Sequence, residues 1–431
     1  MNSVVTYQYA ATVARAPHVR VTLAGQPVEV LDAEGATFAV VACAGTVAVQ
    51  IVVDAPIQAA VVRPLRLGIA PQIADATLSF SLVAPAQVSV EIAGRPPLYL
   101  FVNPPEEDVP APDAPGVRYF AGGLVHEAGE IVLHDHETLY IAGGAVVRGW
   151  LRATDAHNVR VCGHGILDGS FFPRESGHHH LCLLEHCTNV RVEDVVLLRP
   201  LTWTLVCGAC EDVQVRNIKT ITAHGGNDGI DLVSCARVLV EDCFLHAGDD
   251  CIAIKAFGHY AERGWRTDVE QIEVRGCVFL AHGANALEIG HELRTASVRD
   301  VLFHDCDILC VHGSGAAFSI HNGGRATIER VRYENMRIEH YYTFLFDLRI
   351  LESRFSQCPQ RGQIRDVLFK NLRITQSIFN PGYSVSLIGG YDTGHTIARV
   401  TFDGVFLDTR HVTIADQLDI FTRHAHQVVF H

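Results

Sequence analysis

Asn189-Val190-Arg191-Val192, Asp212-Val213-Gln214-Val215, Arg237-Val238-Leu239-Val240 and Gln271-Ile272-Glu273-Val274 are four copies of one short phrase. It reads x-V-x-V-x-(D/N/G)-x-x-(L/I/F). It begins earlier, at Asn158-Val159-Arg160-Val161, and returns at Ser297-Val298-Arg299-Asp300-Val301, Gln363-Ile364-Arg365-Asp366-Val367 and Ile397-Ala398-Arg399-Val400. The period is about 22 to 34 residues, its variation is absorbed in loops, and a strand-only repeat of that length signals a parallel β-helix. No amphipathic helix is needed between copies. A single unit carries isolated apolar pairs and can bury them only against the coils above and below.

Upstream of the repeat the pattern differs. Residues 1–115 show short alternating strands such as Val28-Glu29-Val30-Leu31 and Val88-Ser89-Val90-Glu91-Ile92, with turn residues between them, and predict a β-sandwich. The run Asn103-Pro104-Pro105-Glu106-Glu107-Asp108-Val109-Pro110-Ala111-Pro112-Asp113-Ala114-Pro115 breaks all periodicity and reads as a stiff, exposed connection. The expected organisation is therefore all-β: a sandwich over 1–115, then a parallel β-helix over 116–431 that carries the chemistry.

Composition narrows the partners. With 48% hydrophobic and 19% charged residues the chain is globular, and its formal net charge is -14, from 48 acids against 34 bases. Without a Lys/Arg cluster, nucleic acid and anionic membranes are disfavoured as partners. Thirteen cysteines fall mostly inside strand-like segments such as Val159-Arg160-Val161-Cys162, and read as buried free thiols of a reducing compartment. Cys207-Gly208-Ala209-Cys210 stands without a second pair, so no metal is expected there. Met1–Tyr7 lacks the basic and apolar regions of a signal peptide, which predicts a cytoplasmic location, or secretion if a leader has been trimmed. Oligomeric state is not readable.

Four coils share a second motif: His224-Gly225-Gly226-Asn227-Asp228, His246-Ala247-Gly248-Asp249-Asp250, His282-Gly283-Ala284-Asn285-Ala286 and His312-Gly313-Ser314-Gly315-Ala316. Asp249 follows Asp228 by 21 positions, about one coil, so their carboxylates can lie one inter-strand spacing apart. Laid over one another, the segments predict one column of Asn227, Asp249 and Asn285 and a second of Asp228 and Asp250. The alternation then restarts with Ile252, Leu287 and Phe318 facing inward. Asp231, Ala253, Glu288 and Ser319 form an outward column, followed by Lys255, Gly290 and His321. The four histidines are expected to stack at a corner.

Like charges stacked side by side should raise at least one pKa and titrate as a set. A carboxylic acid kept protonated near neutral pH can protonate a leaving glycosidic oxygen while an ionised neighbour orients water. Asp228, Asp249 and Asp250 are the catalytic candidates, and Lys255, Asn285, Glu288, His291, His321 and Trp203 the candidates for binding substrate. Asn227, Asn285 and Asp231 fit equally well as a structural ladder at the turns. The run His178-His179-His180 could line the groove, and Trp203 could either stack on a sugar ring or pack in the core. No cofactor or metal is expected.

At these residues the chain resembles the polygalacturonase-like glycoside hydrolases, family 28, over about residues 116–431. Gly226-Asn227-Asp228-Gly229 looks like the family's Asn-Thr-Asp-Gly motif, and Asp249-Asp250-Cys251-Ile252-Ala253 keeps its Asp-Asp-Cys motif. Pro200-Leu201-Thr202-Trp203 looks like its Ser-Pro-aromatic turn. The resemblance implies a right-handed helix, Asp249 as general acid, and Asp228 with Asp250 activating water, giving inversion. Two motifs depart from the family. Ala284-Asn285-Ala286 stands where the family has Gly-His-Gly, and Ser319-Ile320-His321 where it has Arg-Ile-Lys. A uronate carboxylate thus loses its bidentate arginine, with Lys255, His321 and Arg349 as partial substitutes. A sandwich ahead of the helix also looks like the dextranase and isopullulanase family, number 49.

The expected activity is inverting hydrolysis of a neutral or weakly charged oligo- or polysaccharide, not polygalacturonate. The alternatives are a β-helical glycan lyase or fructotransferase, and a non-catalytic carbohydrate-binding solenoid.

Overall fold

The computed structural model describes residues 4–171, 180–257, 265, 267–376 and 383–431. The repeated phrase builds a sheet of twelve parallel strands, one per coil, running from Val117–Phe120 through Glu211–Arg216 and Ala236–Glu241 to Ala425–Phe430. A second run of strands winds around the other faces of the same coils and pairs in parallel, apart from the terminal hairpin Phe406–Leu407/Arg410–His411.

The (D/N/G) position of the phrase explains how each coil turns its corner. Asp194, Asn217, Asp242, Gly276, Asp305, Asn335, Asn371 and Gly404 all lie in the left-handed region, with φ between 52° and 69°. Asparagine, aspartate and glycine reach that region at least cost, and one such residue swings the next side chain inward. The residues that follow, among them Val195, Ile218, Cys243, Cys277, Cys306 and Leu372, are fully buried. The cysteines are thus small apolar fillers at a tight corner. All thirteen are free, eleven of them buried. Farther along, Phe303, Tyr333, Phe369, Phe402 and Phe430 stack coil upon coil at centroid distances of 4.6–5.0 Å.

Ahead of the helix lie two sheets. One is antiparallel, in the order Gln26–Val28, Val19–Leu23, Gly45–Val53, Thr77–Ala84, Gln72–Ala74. The other contains Ala36–Ala42, Leu98–Asn103 and Ala86–Ile92, and the two enclose a core of Val21, Val49, Ile51, Leu78, Val41, Val90 and Leu100. The stretch Val28–Leu31, expected as one strand, is broken: one strand ends at Val28 and the next begins at Leu31. Strand Leu98–Asn103 is buried at every position because its sheet is covered on both faces. Phe38, Tyr99 and Phe101 turn away from the sandwich core and pack on Val196, Ile221, Phe244 and Val278 of the helix. Ion pairs Arg63–Glu339 and Arg66–Asp307 and the hydrogen bond from Lys219 to Asn103 fix the two parts together.

Candidate active site

Asp228, Asp249 and Asp250 converge at the turn that leads into strands Ile230–Val233 and Ile252–Ala256, each offering an oxygen within 4.8 Å of the others. Hydrogen bonds pin two of them: Asp249 Oδ2 accepts from the Gly226 N–H at 2.5 Å, and Asp250 Oδ1 accepts from the Asn285 N–H and side-chain amide, each at 2.8 Å. Lys255 donates to Asp228 at 2.8 Å and to Asp231 at 2.7 Å. Asp228 and Asp250 are buried, whereas Asp249 keeps partial contact with solvent. Burial, followed by the charge of Asp228, raises both Asp249 and Asp250 above the usual carboxylate range. The acid nearest to solvent is therefore one that holds its proton longer than an ordinary aspartate.

The register differs from the expected columns. Ile230, Ile252, Leu287 and Phe318 are in line, which puts Asn285 beside Asp250 and Asp228, not beside Asn227 and Asp249. The cause is turn length. His282 lies opposite Gly248, and five steps lead from it to Leu287 where four lead from Gly248 to Ile252. Asn285 thereby gains the amide contact to Asp250 described above, and its own Oδ1 accepts from the Ala316 N–H at 2.8 Å. Asn227 is structural, since its amide donates to the Thr202 carbonyl at 2.8 Å and ties the acidic turn to the Pro200–Trp203 turn.

The histidines do not form one stack. His246 meets His282 at 4.6 Å and His312 meets His340 at 5.0 Å, but His224 is 77% exposed beside Glu34. In register His224 lies three positions beyond the column of His246, whereas His282 lies two beyond it and opposite His312.

The outward column runs as expected through Asp231, Ala253, Glu288 and Ser319, and Gly290 lies beside His321, but a bulge between Ile254 and Ala256 breaks the register that would have put Lys255 beside Gly290. Their environment is more closed than a sugar-binding surface. Glu288, a binding candidate, is 0% exposed and cannot touch a ligand directly; it is the counter-ion of His321. His321 is held between Glu288 at 3.1 Å and Asp347 at 3.0 Å, and Arg349 grips Asp347 with two hydrogen bonds. Burial alone would lower His321; Glu288 and then Asp347 outweigh it and raise the imidazole to about 10. Burial would raise Glu288, but His321 holds it down at about 2. His291 stacks on His321 at 4.4 Å, and burial lowers it to about 4. Trp203 is engaged by protein: His180 stacks on it at 5.0 Å and the Lys255 ammonium lies 3.8 Å from its ring centre. His178 and His179 lie outside the described residues.

Asp347 escaped the sequence reading. Its signal was present in the alternation Phe346, Leu348, Ile350 inward, which puts Asp347 and Arg349 outward next to Ser319 and His321. Among the described residues, two sets have the donor types of a metal site, Asp228/Asp249/Asp250 and Glu288/His291/His321. In each a protein cation already meets a carboxylate: Lys255 pairs with Asp228 in the first, His321 with Glu288 in the second.

The sequence signature of glycosyl hydrolases family 28 matches residues 142–415, more than half of the chain. The chain belongs to that family. Polygalacturonase QRT2 of Arabidopsis thaliana is 22% identical over 248 residues, covering 53% of this chain and 54% of that protein. The chain thus spans about half the length of the curated relatives it matches. Among solved structures, Dex49A from Penicillium minioluteum superposes with a TM-score of 0.72 at 15% identity, covering 97% of this chain and 95% of the other. An exopolygalacturonase from Thermotoga maritima gives 0.56 at 19% identity, covering 73% and 84%. Likeness at these identities speaks for the fold, a right-handed parallel β-helix preceded by a sandwich.

Proposed function

We propose that this family 28 member hydrolyses a glycosidic bond with inversion, Asp249 protonating the leaving oxygen and Asp228 with Asp250 activating water. The observation that carries this reading is the convergence of three carboxylates within 4.8 Å, one of them part-exposed and raised in pKa. Asp228 and Asp250 occupy one column on neighbouring coils and can hold a water from two sides. Asp249, one position along the chain, is left to face the leaving group. Inverting pairs usually stand about 6.5–9.5 Å apart, so a cluster this tight makes the stereochemical outcome the sharpest test. Proton NMR should show the inverted anomer forming first; the retained anomer would overturn the mechanism. Asp249→Asn should keep glycan binding while turnover falls about 10²–10⁴-fold, the usual contribution of a general acid. Unchanged turnover would remove Asp249 from the role, and an unsaturated, ultraviolet-absorbing product would point to a lyase.

The proposed substrate is neutral or weakly charged. Lys255, His321 and Arg349, the cations named as substitutes for the family's arginine and lysine, each already pair with a carboxylate of the protein. A galacturonate would have to compete with Asp228, Asp231, Asp347 and Glu288 for them. A reducing-sugar screen over neutral and uronic glycans tests this, with polygalacturonate expected among the poor substrates.

A further inference from the structure

On the N-terminal side of the acids, the outward face of the coils is covered by apolar rings. The column of Asp231, Ala253 and Glu288 continues backwards through Val206 and Leu183, and that of Lys255 through Val233 and Gly208. These positions point away from the core, yet Val206 and Val233 are 0% exposed. Phe257 and Trp265 lie over them in an apolar cluster of their own, which Trp203, Leu183 and Ala209 join.

Trp265 is 0% exposed, and its indole occupies the space a side chain at Gly208 would need: a Cβ there would stand 2.3 Å from ring carbon Cε2. The main chain holds the ring in place. Trp265 N–H donates to the Phe257 carbonyl at 3.2 Å, the Ser234 hydroxyl donates to the Trp265 carbonyl, and the Thr267 hydroxyl donates to the Ser234 carbonyl at 2.8 Å.

The turn column adds to the wall. The Thr204 N–H donates to the Asp228 carbonyl, which sets Trp203 beside Asp228, one coil back, and His180 stacks behind it. The edge of Trp203 meets Phe257 at 6.1 Å. One coil spacing, about 4.8 Å, therefore separates the catalytic acids from packed rings. In the opposite direction the surroundings are polar: His291, His321 and Arg349, with Phe355 at 53% exposure beyond them.

We infer that the groove is blind on its Trp203–Phe257–Trp265 side, so that the enzyme releases a single unit from a chain end instead of cutting within the chain. This rests on the hydrolytic reading above. The ring wall stops the sugar chain on one side of the acids, and the remainder of that chain extends towards His291, Arg349 and Phe355. Each turnover adds one water across one glycosidic bond and yields a monosaccharide and a chain shortened by one unit.

The test incubates the full chain with linear isomalto-, xylo-, arabino- and galacturono-hexasaccharides labelled at the reducing end, and resolves products from the earliest time points. For a hexasaccharide that is cut, the expected first products are the monosaccharide and the pentamer, with the tetramer appearing only later, and a cyclic oligosaccharide of the same linkage is left intact. Dimers, trimers and tetramers released together from the start, or opening of the ring, would overturn the blind groove while leaving hydrolysis standing. No release from any glycan by wild type would remove the hydrolytic reading and this inference with it. A Phe257→Ala/Trp265→Ala double variant should gain internal products if it folds; the wild-type product order decides the matter independently.

Discussion

Replacing His321 by glutamine would remove the cation from a buried chain of charges. In the folded protein the imidazole stands 3.1 Å from Glu288 and 3.0 Å from Asp347, with 7% of its side chain exposed. Moving it from its ordinary 6.5 to about 10 corresponds to about 5 kcal/mol, at about 1.4 kcal/mol per pH decade. Glu288, moved from 4.5 to about 2, gives about 3 kcal/mol for the same attraction seen from the other partner, so the two are not added. Both figures match the roughly 3–5 kcal/mol expected when one member of a buried pair is deleted and the other is left charged.

The sign of the pH dependence follows from the two directions. His321 is raised, so its contribution is complete below pH 6.5 and is lost as pH rises towards about 10. Glu288 is lowered, so its contribution is complete above pH 4.5 and is lost as pH falls towards about 2. His321→Gln should therefore lower Tm most between pH 4.5 and 6.5, by on the order of 5–10 °C, with the deficit narrowing at both ends. Differential scanning calorimetry at three pH values measures it. Glu288→Gln/His321→Gln should recover part of the loss, since no orphaned carboxylate remains at position 288. A Tm within one degree of wild type near pH 5.5, or a deficit that does not change with pH, would refute the reasoning.

Lys255→Met would leave Asp228 and Asp231 buried without the ammonium that now bridges them at 2.8 and 2.7 Å. It should abolish turnover and cost about 3–5 kcal/mol of stability, read by activity and denaturant unfolding; a variant as active as wild type would exclude the bridge from the site. The thiols offer a separate check on packing. At most Cys310 and Cys358, the two that are not buried, should react with a thiol reagent in the folded protein, and all thirteen after unfolding.

Much of this molecule is legible residue by residue because a solenoid repeats its local rules. The left-handed corner needs Asn, Asp or Gly, the next position needs a small or branched apolar group, and both appear once per coil from Asp194 to Gly404. The acidic cluster is legible for the same reason: Asp228 and Asp249 lie about one coil apart, and stacking brings them together. Register across the turns was not legible, since the loops differ in length by single residues. Only backbone pairing shows that Asn285 faces Asp250.

What the sequence by itself determined is the coil, its corner chemistry and the presence of three acids at one turn, all set by spacing within or between adjacent repeats. Tertiary structure alone decided what those acids and their neighbours face. Glu288, His321, Asp347 and Arg349 come from three successive coils, and Trp265 reaches back over Gly208 on a coil two earlier than its own strand neighbours. Burial of a charge, its partner and the closure of a groove are properties of side chains meeting across coils. No local pattern encodes which of them will be shut away from water.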